Sequence, residues 1–176
     1  MSQIQDISGC RLIVKNIDAQ ESAVESLTKL FENSGVVDRR KQPSHGYRAV
    51  HVIVTCLDKV IEVQIRTLLQ QLWAELSEKF SDVVDPAIKY GGGDKPVQDI
   101  LIKTSTSVAV HELLAFELPK AATKFLLQDG LPDQSKKGLD ELQEIVNETG
   151  ETIVEALRAM IEKVTGLKGE SNDISN

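Results

Sequence analysis

Scarcity narrows the field first. Only 4% of the 176 residues are aromatic, so the core has to be assembled from aliphatic side chains. Cysteine is limited to Cys10 and Cys56, each beside an apolar run. We read both as buried, reduced thiols and not as a disulfide, a metal pair or a nucleophile. No run approaches the roughly 18 consecutive apolar residues of a membrane span, and the first residues lack a charged-then-apolar leader. The expected location is cytoplasmic, with no membrane partner. The three histidines, at 45, 51 and 111, share no metal-ligand spacing with the cysteines, which argues against zinc. Basic residues are outnumbered 20 to 27, and the formal charge of -7 argues against general nucleic-acid binding through a basic surface. A local basic cluster remains at Arg39, Arg40 and Lys41, with Arg48 close behind.

Strand periodicity and dense polar chemistry coincide in one stretch, from His45 to Thr67. Two extended runs, Tyr47 to Cys56 and Val60 to Thr67, are separated by Leu57-Asp58-Lys59, short enough for an antiparallel hairpin. In the second run a period of two puts Ile61, Val63 and Ile65 on one face and Glu62, Gln64 and Arg66 on the other. One face is core; the other carries a carboxylate, an amide and a guanidinium. Tyr47 and His51 alternate onto one face of the preceding run, beside a Gly46 suited to close approach of backbone to a ligand.

Elsewhere the pattern is mainly helical. Leu12 to Val14 form a short strand, and Asp18 with Glu21 reads as a capping box opening a helix that Gly35 would close. Val36 to Asp38 read as a brief edge strand. Leu68 to Phe80 carry a second amphipathic helix with Trp73 as a core anchor. Ser81 to Asp94, with Pro86 and three glycines, reads as a linker. A helix capped at Asp94 should run to about Leu118, weakened at Thr104 to Ser107 and stopped by Pro119. A short helical piece should follow, ending at Gly130. The last helix bears a stripe from Leu139 to Val164 with Gly150 as its weakest point, and the tail from Gly166 should be disordered. The expected fold is α+β, a mixed sheet flanked by helices, with a core at 1–92, a helical region at 94–165 and a tail at 166–176.

These pieces together support a resemblance. D-x-x-G-x-R at Asp6 to Arg11, H-G-Y-R-A-V-H at His45 to His51, E-V-Q-I-R-T at Glu62 to Thr67 and W-A-x-L at Trp73 to Leu76 resemble the synthetase domain of RelA/SpoT-type (p)ppGpp synthetases. The small single-domain alarmone synthetases are the most similar group. The resemblance covers roughly the first 80 residues. It departs from the family in lacking, ahead of Asp6, the basic segment that grips ATP phosphates, and in having Ser77, Glu78 and Lys79 where Glu-His-Lys is common.

The resemblance implies a nucleotidyltransferase-like core that moves the β,γ-pyrophosphate of ATP onto the ribose 3'-hydroxyl of GTP or GDP with Mg²⁺. It implies that Asp6 and Glu62 hold the metal and act in catalysis, and that Tyr47 stacks on guanine. Gln64 and Arg66 would line the same pocket, Arg48 and His51 would stand at acceptor-site polar positions, and Arg39 and Lys41 would belong to a basic phosphate-contacting loop. It also implies a homo-oligomer built through the C-terminal helices. Two other readings stay open on the residues alone. One is a non-catalytic guanine-nucleotide-binding regulatory module; the other is a structural oligomeric scaffold.

Overall fold

The computed structural model describes residues 8–127 and 133–173. The chain forms two compact units, Met1–Gln71 and Leu72–Asn176. In the first, strands β1 (Ser8–Val14), β2 (Gly35–Asp38), β3 (Val50–Cys56) and β4 (Lys59–Thr67) make a sheet in the order β1-β4-β3-β2. β1 runs parallel to β4, and the other pairings are antiparallel. The mixed α+β sheet is as the alternation in the sequence predicts.

One helix, α1 (Ile17–Leu30), covers the apolar face. Val52, Val54, Val63 and Ile65 form the buried cluster, and Val14, Ile61, Ala23, Val24, Leu27 and Phe31 pack against it. Each such aliphatic side chain contributes about 1.5–3 kcal/mol when fully buried. A slip of one residue in β3 or β4 would carry the whole set to the polar face, so the apolar alternation also fixes where the polar side chains point.

Several local expectations change. Asn16, extended at φ -160°, is the N-cap of α1 and accepts from the Ala19 N–H at 3.0 Å; Asp18 lies within the first turn. The helix ends at Phe31, whose side chain belongs to the core, and Gly35 begins β2 instead of closing the helix. Cys10 is exposed and Cys56 only half-buried, both free. Cys10 stands on an edge strand, away from the centre of the sheet where α1 mainly packs. Tyr47 precedes β3 instead of opening it. Ser44 and Tyr47 bridge a tight turn whose middle residues, His45 (φ 52°) and Gly46 (φ 90°), are both left-handed. Gly46 therefore serves a turn that places Tyr47.

The second unit is helical. α2 (Leu68–Val83) follows β4 directly, and a short 3-10 helix (Pro86–Tyr90) leads to α3 (Lys95–Leu126) and α4 (Asp133–Asp173). Among the described residues its buried apolar side chains are Leu72, Trp73, Ala74, Leu76, Ile88, Leu101, Val108, Leu157 and Val164. The Trp73 indole donates to the Leu101 carbonyl at 2.8 Å, as an anchoring tryptophan requires. Asp94 caps α3 as expected, accepting from the Val97 N–H.

Pro119 lies inside α3 and does not end it. It is exposed, so water can reach the carbonyl one turn back that loses its usual donor. Thr104, Thr106 and Ser107 hydrogen-bond to carbonyls four residues back, and the helix continues through them. Gly130 lies outside the described residues. α4 runs past Gly166 to Asp173, so the tail expected to be disordered is helical for most of its length. The triple glycine follows a built turn: Gly91 and Gly92 donate to carbonyls of the 3-10 helix, and the Gln98 amide holds the Ile88 and Gly92 carbonyls.

Candidate active site

The face of the sheet away from α1 carries His51, Glu62, Gln64 and Arg66. Register sets the geometry: His51 stands opposite Gln64 and diagonal to Glu62, and Gly9 of β1 pairs with Glu62. A glycine there leaves the flank of the carboxylate without a side chain. Arg11, opposite Gln64 on β1, adds an exposed guanidinium to the same face.

These side chains are joined. Arg66 Nη2 donates to Tyr47 Oη at 2.8 Å and to Gln64 Oε1 at 2.9 Å. Tyr47 Oη lies 2.9 Å from His51 Nε2, and His51 Nδ1 lies 2.7 Å from Glu62 Oε1. Gln64 Nε2 closes the circuit, donating to Glu62 Oε2 at 3.1 Å. The Arg66 guanidinium also lies over the Tyr47 ring, 5.0 Å from its centroid, and the His51 ring meets that ring edge-on at 5.7 Å. Arg66 is almost fully buried. Burial alone would raise the Glu62 carboxyl, but hydrogen bonds from Gln64 and His51 and the charge of Arg66 outweigh it and hold the group below its ordinary 4.5.

Of the residues singled out in the sequence, Tyr47, His51, Glu62, Gln64 and Arg66 are thus gathered into one network. The basic loop is divided. Arg40 is locked by Asp38 (2.9 and 2.8 Å), by Glu21 (2.7 Å) and by Gln20 (3.1 Å). Arg48 Nη1 holds the Arg40 carbonyl at 2.8 Å. Arg39 and Lys41 are exposed, Lys41 reaching Asp38 only at 3.8 Å. Asp6 lies outside the described residues. One participant went unnoticed in the sequence: Gln71, at the start of α2, accepts from Arg66 Nη1 at 3.0 Å. Five residues across a strand-to-helix junction correspond to no single period, so no pattern could have marked it.

A divalent ion held by carboxylates would find a suitable donor in Glu62. The group is kept ionised, and each of its oxygens has coordination capacity beyond its one hydrogen bond. No cluster of three or more His, Cys, Asp or Glu occurs among the described residues, but Mg²⁺ takes only one or two carboxylates and completes its shell with phosphate and water.

Comparison with known proteins bears on the family and the fold. Residues 1–81 match the pattern described as "Region found in RelA / SpoT proteins". Small alarmone synthetase 2 of Bacillus subtilis superposes with a TM-score of 0.52 at 25% identity, covering 69% of this chain and 69% of that one. Small alarmone synthetase 1 of the same organism, bound to its product pppGpp, superposes at 0.51 with 21% identity, covering 69% of this chain and 67% of that one. Uncharacterized proteins of Mycobacterium bovis and Mycobacterium tuberculosis are 30% identical over 127 residues, 64% of this chain. The chain spans 46% of the length of those relatives. The fold is that of the small alarmone synthetases. Over its first 81 residues the chain carries the region found in RelA/SpoT proteins.

Proposed function

We propose that this protein transfers the β,γ-pyrophosphate of ATP to the 3'-hydroxyl of GTP or GDP. The observation that carries the reading is Glu62, a carboxylate held ionised and oriented from both oxygens on a face that also bears Tyr47 and Arg66. A guanine base stacks on the Tyr47 ring, on the side not taken by the Arg66 guanidinium. Arg66 Nε is buried and without a partner among the described residues. Glu62 accepts the proton of the 3'-hydroxyl. The oxygen bonds to the β-phosphorus of ATP, the bond from that phosphorus to the bridging α,β-oxygen breaks, and AMP leaves. Arg11, Arg39 and Lys41, exposed cations, offset phosphate charge as it develops. Asp6 and Glu62 would hold Mg²⁺, which supplies charge neutralisation on the phosphate oxygens.

Assembly belongs to the same reading. α3 leaves Val110, Leu113 and Leu114 exposed at helical spacing, and α4 leaves Leu142 and Ile145. A second copy of the chain is the proposed cover. The C-terminal part of the α4 stripe is already used within the chain, since Leu157 and Val164 are buried.

The test is incubation of purified protein with labelled ATP and GTP in Mg²⁺, the products being separated by chromatography. A guanosine penta- or tetraphosphate carrying the label supports the proposal. Guanine-nucleotide binding without transfer would select the non-catalytic module.

A further inference from the structure

We propose that Gln20 is a positioning residue for the acceptor site, a buried amide near the start of α1 that ties the basic loop to the end of β4 and so fixes Tyr47 between them. The inference rests on the reading above for what Tyr47 does; the tether itself does not depend on it. Gln20 is 0% exposed and its neighbour Gln70 1%. Burying an amide is unfavourable unless its polar atoms find partners, and both ends of Gln20 do. Its Nε2 donates to the Ile65 carbonyl at 2.8 Å and to Gln70 Oε1 at 2.9 Å, while its Oε1 accepts from Arg40 Nη1 at 3.1 Å. The partners fix which way the amide faces, because a carbonyl can only accept and a guanidinium can only donate. One end therefore leads to β4 and the start of α2, the other to the loop.

On the loop side every nitrogen of the Arg40 guanidinium is engaged: Nε and Nη2 by Asp38, Nη2 also by Glu21, and Nη1 by Gln20. Its main chain is held as well, the N–H by Asp38 Oδ1 at 3.0 Å and the carbonyl by Arg48 Nη1 at 2.8 Å. Arg48 follows Tyr47 in the chain, so the loop closes on itself beside the ring. On the other side, Ile65 directly precedes Arg66, which donates to Tyr47 Oη at 2.8 Å and to Gln71, the residue after Gln70, at 3.0 Å. Tyr47 is thus held through its backbone by the loop and through its hydroxyl by Arg66. Gln20 links the two holds from the layer behind the sheet. With that link cut, the loop samples other positions, and the affinity of the acceptor falls by the fraction of time that the ring is out of place.

Two variants cut the tether from different ends. Gln20→Met keeps the length of the side chain and removes both polar ends; Arg40→Lys keeps the charge but not the fork. The first arm is amide hydrogen exchange on the ligand-free protein. The N–H groups of Arg39, Arg40 and Tyr47 donate to the Ala49 carbonyl, Asp38 Oδ1 and the Ser44 carbonyl. In both variants they should exchange about 10-fold faster or more, while those of Val52 and Val54 keep their wild-type rates. Unchanged exchange in the loop overturns the proposal. So does equal acceleration at Val52 and Val54, which would make Gln20 a residue of general stability only. The second arm is calorimetry with GDP and steady-state transfer. Kd and KM for GDP should rise by about 3- to 10-fold with kcat within about 2-fold, since a platform that must first be found weakens the ground and transition states alike. In a Tyr47→Ala background Gln20→Met should move the GDP Kd by less than about 2-fold, there being no ring left to position. A fall in kcat at unchanged Kd, or an equal effect without the ring, overturns the proposal. Should Gln20→Met fail to fold, Arg40→Lys, at a partly exposed side chain, carries both arms. If the wild type binds no GDP, the functional reading has failed, and the exchange arm still decides whether Gln20 ties the loop.

Discussion

Under the proposed function Glu62 is the base and Tyr47 the stacking platform, and substitution should separate the two roles. Glu62→Gln keeps the shape of the side chain but removes the base, so guanine-nucleotide affinity should stay nearly intact while transfer disappears. Tyr47→Ala removes a ring face, and by analogy with base stacking on aromatics in single-strand binders should weaken nucleotide binding by about 1–3 kcal/mol. Calorimetry with GTP or GDP and Mg²⁺, paired with a transfer assay, reads both. A second residue-scale outcome concerns Asp38. Burial would raise its carboxyl, but hydrogen bonds and charge from Arg40 dominate and hold it below its ordinary 3.8. A depressed carboxyl stabilises the fold above its unfolded value, and that stability is lost as pH falls through the folded value. Asp38→Asn should therefore lower the unfolding free energy by about 1–3 kcal/mol near neutral pH, as expected for hydrogen bonds to a charged partner. Urea melts should show that deficit shrinking as pH drops below 3.8. A deficit independent of pH would mean that the Arg40 pairing contributes nothing.

Elements differ in how plainly the sequence announces them. β4 and its polar face were legible because a period of two assigns every residue to a side, and the order Glu62, Gln64, Arg66 survives any small error in the strand's ends. The α1 cap was not, because Asn16 and Asp18 are both good N-caps and only the backbone at Asn16 decides between them. Pro119 misled for a related reason: its cost depends on whether the freed carbonyl is wet, which is a matter of exposure and not of local pattern. Gly150 misled most. Viewed along α4 it is a weak helix former, yet a Cβ there would stand 2.7 Å from His111 Nε2, so the glycine is what lets α3 and α4 approach. That ring is half-buried, and burial pulls its pKa down. Gly150→Ala should force the ring aside and cost on the order of 1 kcal/mol. With His111→Ala in place, the same substitution should instead gain up to about 1 kcal/mol, the ordinary advantage of alanine over glycine in a helix. Thermal melts of the two single variants and the double variant check the reversal of sign; equal effects in both backgrounds would sink the explanation.

For the molecule as a whole, the exposed aliphatic side chains of α3 and α4 should report on association. Light scattering should give a mass above that of the single 19.4 kDa chain at micromolar concentration, and Leu113→Glu should reduce it. A monomeric mass for the unaltered protein would remove the case for a second copy. The strand pairings carry a consequence of another kind, in the order of folding. Cys56 pairs with Lys59 across a two-residue turn, whereas Ser8 pairs with Ile61 across most of the first unit. Closing a long loop costs entropy before any contact repays it, so the β3–β4 hairpin should form early and β1 should dock late. Leu57 and Asp58 are both left-handed, at φ 49° and 59°, a conformation that disfavours most side chains by on the order of 1 kcal/mol each. Replacing them with Asn-Gly should therefore speed refolding in stopped-flow measurements and leave the unfolding limb nearly unchanged. A change confined to unfolding would place the hairpin after the barrier. Late docking of β1 also dates the completion of the site. A nascent sheet would already hold His51 beside Glu62, but it would still lack the strand that flanks the carboxylate with Gly9 and brings Arg11 to the same face.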